Sequence, residues 1–103
     1  MYIIEAELLP TAGVTAPWPT ATLVQEVFWP LARSEDRLEH LRARVGPRGI
    51  GLVLFVASTD GRQALRATRG LCERVSRTAP LLAGWTVAAC TPFDPQDDHL
   101  PGA

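Results

Sequence analysis

The chain has 103 residues, 47% of them hydrophobic and 20% charged, with a formal net charge of −1. That length supports one core burying roughly two thirds of the unfolded surface, and the composition excludes a disordered tail or a fibrous protein. The near-neutral balance argues against a dedicated nucleic-acid binder, whose basic footprint shows in the whole-domain charge.

The first segment, Tyr2 to Leu9, alternates: Tyr2, Ile4, Ala6 and Leu8 fall on one face, and Ile3, Glu5, Glu7 and Leu9 on the other. This predicts a half-buried strand with two carboxylates on its less apolar side. The same N-terminus has no basic flank, and no apolar run approaches the ~20 residues needed to span a bilayer. The expectation is a cytoplasmic protein without membrane association. Residues 10–19, PTAGVTAPWP, are broken by prolines and a glycine and predict a long loop, of the kind that often carries function.

Thr20 or Thr22 can cap a helix with Leu23, Val24, Val27, Phe28 and Leu31 on its apolar side, ended near Trp29 by Pro30. The next segment, residues 34–46, SEDRLEHLRARVG, reads two ways. As a helix it has Ser34 as cap, Glu35 and Asp36 in the first turn, Leu38, Leu41 and Val45 at helical spacing, and Gly46 as a stop. As a strand from Leu38 to Val45 it turns Leu41, Ala43 and Val45 inward and His40, Arg42 and Arg44 outward. The strand is preferred, because GPRG at 46–49 suits a hairpin turn, with Pro47 at its second position and Gly49 where a positive φ is wanted. Arginines on an edge strand also oppose edge-to-edge aggregation.

Ile50 to Ala57, IGLVLFVA, has no polar side chain and predicts a central strand. A second helix follows, capped by Thr59 or Asp60, with Ala64, Leu65, Thr68, Leu71, Cys72 and Val75 as its apolar stripe. Its Arg62, Arg66, Arg69, Arg74 and Arg77 read as a solvated face. Pro80 and Gly84 lead into a last strand, Trp85 to Cys90, with Trp85, Val87 and Ala89 on one face. Residues 1–91 are expected to form a single domain and 92–103 a flexible tail. All ten basic residues are Arg, which with the many Ala, Gly and Pro reads as G+C-rich, bacterial coding. Cys72 and Cys90, without a secretion signal, read as small buried apolar residues.

The order strand, helix, strand, strand, helix, strand is the α+β ferredoxin-like βαββαβ pattern: a two-layer sandwich, its four-stranded antiparallel sheet carrying both helices on one face. If 34–46 is helical, the alternative is a three-stranded βαβαβ sheet. In the four-stranded arrangement one sheet face is bare, and whichever side-chain set of Ile50–Ala57 faces away from the helices is apolar. Such a stripe flanked by polar residues marks an interaction surface. With Tyr2, Ile4, Ala6 and Leu8 inward, the open face carries Glu5 and Glu7 on one side, Val53 and Phe55 in the middle, and Arg42 and Arg44 on the other. A two-fold axis could pair acid with base at the rim, so a homodimer through the open face is expected. The alternative is that the 10–19 loop or the tail covers it.

No metal-ligand spacing links His40, His99, Cys72 and Cys90, and neither a phosphate-binding glycine motif nor a nucleophile elbow is present, so no metal, cofactor or catalytic residue is assigned. Trp18, between prolines, Trp29 and His40 remain candidates for a ligand pocket, against simpler roles as loop anchor and solvated edge residue. An RNA-binding face would want more aromatic residues and basic charge than Phe55 and the net charge supply.

MYIIEAEL, the hairpin around GPRG and the closing GWTVAAC resemble, in pattern over about residues 2–91, the small ferredoxin-like proteins of the dimeric α/β-barrel group. The resemblance is one of architecture. It implies a sheet-packed dimer, and it extends to cofactor-free monooxygenases that use pocket His, Asn or Trp residues, although this chain has no Asn. The expectation is a non-catalytic dimeric accessory, regulatory or ligand-binding module with a protein partner or small apolar ligand. The alternative is a cofactor-free monooxygenase or isomerase acting on an apolar metabolite, which would need an enclosed pocket.

Overall fold

A computed structural model describes residues 1–15 and 17–93. Strand β1 (Tyr2–Pro10) is followed by helix α1 (Ala21–Phe28), strands β2 (Leu38–Val45) and β3 (Ile50–Val56), helix α2 (Gly61–Thr78) and strand β4 (Trp85–Pro92). The four strands form one antiparallel sheet in the order β2-β3-β1-β4, which is the ferredoxin-like βαββαβ arrangement. Segment 34–46 is thus resolved as a strand preceded by a short 3₁₀ turn, Ser34–Asp36.

Both helices lie on one face. Ile4, Ala6 and Leu8 from β1, Ile50, Leu52, Leu54 and Val56 from β3, and Leu41 from β2 meet Val24 and Phe28 of α1 and Ala64, Leu71, Cys72 and Val75 of α2. These buried chains form one contiguous cluster between the layers. The Thr20 hydroxyl caps α1 by accepting the Leu23 N–H at 3.3 Å, and the Asp60 carboxylate caps α2 by accepting the Arg62 N–H at 2.9 Å. Pro30 ends α1 as expected, in a single 3₁₀ turn, Trp29–Leu31. Leu23 is 46% exposed rather than part of the core. It sits about 100° around the helix from Val24, beyond the narrow line from Val24 to Phe28 that the sheet can cover.

Glycine 49 is required for a different reason from the one the turn chemistry suggests. Its φ is not positive. A Cβ there would lie 2.6 Å from the Leu8 carbonyl oxygen and 2.9 Å from Leu9 Cδ2, so the residue makes room for β1. The turn residues Pro47 and Arg48 are closed by the Gly46 N–H donating to the Gly49 carbonyl at 3.0 Å.

Both edge strands carry a bulge. In β2 the register shifts between Leu38 and His40, and in β4 the extra residue is Ala88, between the Glu7–Ala89 and Leu8–Val87 pairs. The second bulge corrects the simple alternation read for the last strand: Trp85 and Val87 face the helices, but Ala89 pairs with Glu7 and faces away, while Cys90 turns inward opposite Ala6. Strand β4 runs to Pro92, and the Phe93 N–H donates to the Ile3 carbonyl at 2.8 Å, so order extends beyond residue 91. The rest of the expected tail, residues 94–103, lies outside the described residues.

One amide on the outer edge of β2 is occupied by a side chain. Gln25 of α1 reaches over and its Oε1 accepts the Ala43 N–H at 2.9 Å. A second long-range tie joins α2 to the 3₁₀ turn before β2. Arg74 Nη1 donates to the Leu31 carbonyl at 2.8 Å and to Asp36 Oδ2 at 3.1 Å, and the same Oδ2 accepts the Arg33 N–H at 2.8 Å. Asp36 is 6% exposed, so Arg74 does not belong to the solvated arginine face read from the sequence. The clamp holds a strained reversal, since the next residue, Arg37, has φ 54° without being glycine.

Candidate functional site

The side of the sheet away from the helices is uncovered among the described residues. Its side chains follow from the strand period: with Ile4, Ala6 and Leu8 inward, Ile3, Glu5 and Glu7 point out, and with Leu52 and Leu54 inward, Gly51, Val53 and Phe55 point out. The strand registers place these residues in rows across the sheet. One row reads Arg42, Val53, Glu5, Thr91, and the next reads Arg44, Gly51, Glu7, Ala89. A third row carries His40, Phe55 and Ile3. All six residues expected at an interface, Glu5, Glu7, Arg42, Arg44, Val53 and Phe55, therefore share one face.

Their charges are laid out as two columns. Glu5 and Glu7 are exposed on β1, Arg42 and Arg44 are exposed on β2, and the uncharged β3 runs between them. Two strand spacings separate the columns by about 9.6 Å between backbones. Among the described residues the ion pairs are Arg74–Asp36 at 3.1 Å and Arg69–Glu73 at 3.8 Å, and neither involves these four side chains. Two unlike charge columns with no partner among the described residues are an arrangement suited to an external partner with the complementary pattern. Gly51 deepens the centre, since nothing lies within 4 Å of where its Cβ would be. With Val53 and the two charge columns it lines a hollow of about 540 Å³. Val53 and Phe55 are half-buried, shielded by the longer chains beside them.

The three residues considered for a ligand pocket do not come together. Trp18 packs edge-on against Trp85, ring centres 5.2 Å apart and planes at 80°, which is an anchor for the 10–19 loop. Trp29, at the end of α1, is 44% exposed. His40 is exposed on the open face beside Phe55, centroids 5.5 Å apart. A second hollow of about 490 Å³ lies between the loop and the start of β4, lined by Trp18, Trp85, Pro17, Pro19, Thr11 and Thr15 among others. Among the described residues no acid, base or thiol lines it. The loop residues that line it thus lie beside Leu81 to Trp85 rather than over the centre of the open face.

The two cysteines face the core and are free. Burial, with smaller contributions from Cys90 and Glu73, pushes the Cys72 thiol up from 9.0 to about 12, and burial likewise raises Cys90. Both stay protonated near neutrality and are poor nucleophiles. Among the described residues no three His, Cys, Asp or Glu side chains are grouped to hold a metal ion, and no helix is long and apolar enough to cross a membrane. The Arg74–Asp36 clamp was not legible as a site because its partners are 38 residues apart and neither stands in a motif. Compared with protein-family models, with curated proteins and with solved structures, the chain has no match that could assign it to a family.

Proposed function

We propose that this protein is a non-catalytic homodimeric module, of an accessory, regulatory or ligand-binding kind, that associates through the open face of its sheet. The observation that carries the reading is the pair of charge columns, Glu5 and Glu7 against Arg42 and Arg44, flanking a half-buried apolar strip and lacking partners among the described residues. The contiguous cluster of buried apolar residues between sheet and helices supports a binding rather than a catalytic role. So does the lack of any acid, base or thiol among the described residues around the Trp18 hollow. A four-stranded face measures roughly 19 by 23 Å from strand spacing and rise, so the interface belongs to the small, weak class.

The test is sedimentation equilibrium from low micromolar to several hundred micromolar. A concentration-dependent dimer is expected, and Val53→Arg, which places a charge in the middle of the strip, is expected to abolish it while leaving the thermal melt of the fold unchanged. A wild-type chain that stays monomeric throughout refutes the reading.

A further inference from the structure

Resting on that dimer, we infer that its two-fold axis runs along β3, so that β1 of each copy lies over β2 of the other. The rows across the sheet select this axis. When two facing sheets pack with their strands aligned, a two-fold in the interface plane runs either along the strands or across them. If it ran across them, each strand would lie over its own copy, Glu5 and Glu7 would meet Glu5 and Glu7, and Arg42 and Arg44 would meet themselves. Like charges facing each other in a poorly hydrated interface oppose association.

An axis parallel to β3 and passing over it exchanges β1 with β2, because these strands flank β3 on either side. A two-fold rotation has no translation along its own axis, so each row lands on itself. Glu5, Val53 and Arg42 share a row, and Glu7, Gly51 and Arg44 share the next. Glu5 therefore faces Arg42 of the partner subunit, and Glu7 faces Arg44 of the partner subunit, with both pairs repeated by symmetry. On the axis Val53, Gly51 and Phe55 each meet their own copies.

Facing sheets pack roughly 10 Å apart. A glutamate and an arginine extended toward each other span that gap. The same two side chains point the same way, about two strand spacings apart, within one protomer, where they form no ion pair. The pattern is thus complementary between copies and not within one. It is also isologous, as a closed dimer requires.

Charge exchange tests the axis separately from the dimer. Dissociation constants are measured for the wild type, Glu5→Arg, Arg42→Glu, the matched double E5R/R42E and the crossed double E5R/R44E. All three substituted positions are exposed, and circular dichroism of each variant verifies its fold. Each single reversal turns two symmetry-related attractions into repulsions, so about a tenfold or larger weakening is expected. E5R/R42E restores the wild-type constant, whereas E5R/R44E, which misaligns both rows, is weaker still. For the wild type, raising salt from about 0.05 to 0.5 M weakens the dimer, because the screened contacts are attractive. A wild-type dimer that Glu5→Arg tightens, that salt strengthens, or that E5R/R42E fails to restore overturns the axis and leaves the dimer standing. A wild-type monomer overturns both.

Discussion

Replacing Arg74 by Ala isolates the tie between α2 and the turn before β2. The guanidinium donates two hydrogen bonds, to the Leu31 carbonyl at 2.8 Å and to Asp36 Oδ2 at 3.1 Å. Its side chain is 19% exposed and that of Asp36 only 6%, so solvent does little to screen the pair. Breaking a buried pair from one side costs about 3–5 kcal/mol, mostly from the charge left without a partner. Asp36 Oδ2 keeps its bond from the Arg33 N–H, which places the expected loss at the low end, about 3 kcal/mol. An unfolding entropy of about 2.1 cal/mol/K per residue converts this, for a chain of 103 residues, into a fall in Tm of about 14 °C. The assay is thermal and urea unfolding followed by circular dichroism. Adding Asp36→Asn removes the stranded charge but keeps an acceptor for Arg33, so R74A/D36N is expected to recover about half of the loss. A Tm change under about 3 °C for Arg74→Ala, or a double variant no more stable than the single, refutes the account.

Two further outcomes follow from single side chains. Because the folded state holds the Cys72 proton up to about pH 12 and the unfolded chain releases it near 9.0, folding binds the extra proton between these values. Its contribution is complete below pH 9.0 and falls as pH rises toward 12, by up to about 1.4 kcal/mol per unit. Urea midpoints for the wild type against Cys72→Ala at pH 8 and pH 10.5 read this, and equal slopes count against it. Gly49→Ala is expected to cost about 1–3 kcal/mol, because its Cβ must displace the Leu8 carbonyl, whereas Gly46→Ala, with open space at that position, is expected to be neutral or slightly stabilising. Matched denaturant titrations distinguish the two, and equal effects would mean that β1 does not press on the turn.

Elements with strong periodicity were readable directly. The α2 stripe of Ala64, Thr68, Leu71, Cys72 and Val75 is the buried side of that helix, and the alternation of β1 assigns Glu5 and Glu7 to the open face. Segment 34–46 was ambiguous because its local signals, Ser34 and two following acids, do form a turn of 3₁₀ helix before the strand begins. The strand wins through pairing with β3, a contact no local signal records. The same limit explains Ala89 and Cys90. Period two predicts their faces until Ala88 is inserted without a partner, and nothing in the run of small residues marks which one bulges. That Glu5, Glu7, Arg42, Arg44, Val53 and Phe55 share one face was legible because a strand's faces follow parity away from a bulge. That Trp18, Trp29 and His40 stay apart was not, because whether side chains from a loop, a helix end and an edge strand converge is a property of the tertiary fold.

The reach of Gln25 to the edge of β2 has a bearing on how large an assembly of this chain can grow. An open antiparallel sheet has two lateral margins, and a strand arriving at either adds a rung that in turn offers a new margin, which is the route to fibres. At β2 the Ala43 amide is already occupied by a helix borne by the same fold, so an incoming strand must first displace a bonded acceptor, on a strand that also carries Glu39, Arg42 and Arg44. At β4 the unpaired Ala88 interrupts the even spacing a newcomer would need. Lateral growth is thereby opposed at both margins by devices that leave the broad face free, and a contact made through that face about a two-fold consumes the surface that made it. In the proposed dimer, growth would therefore stop at two copies.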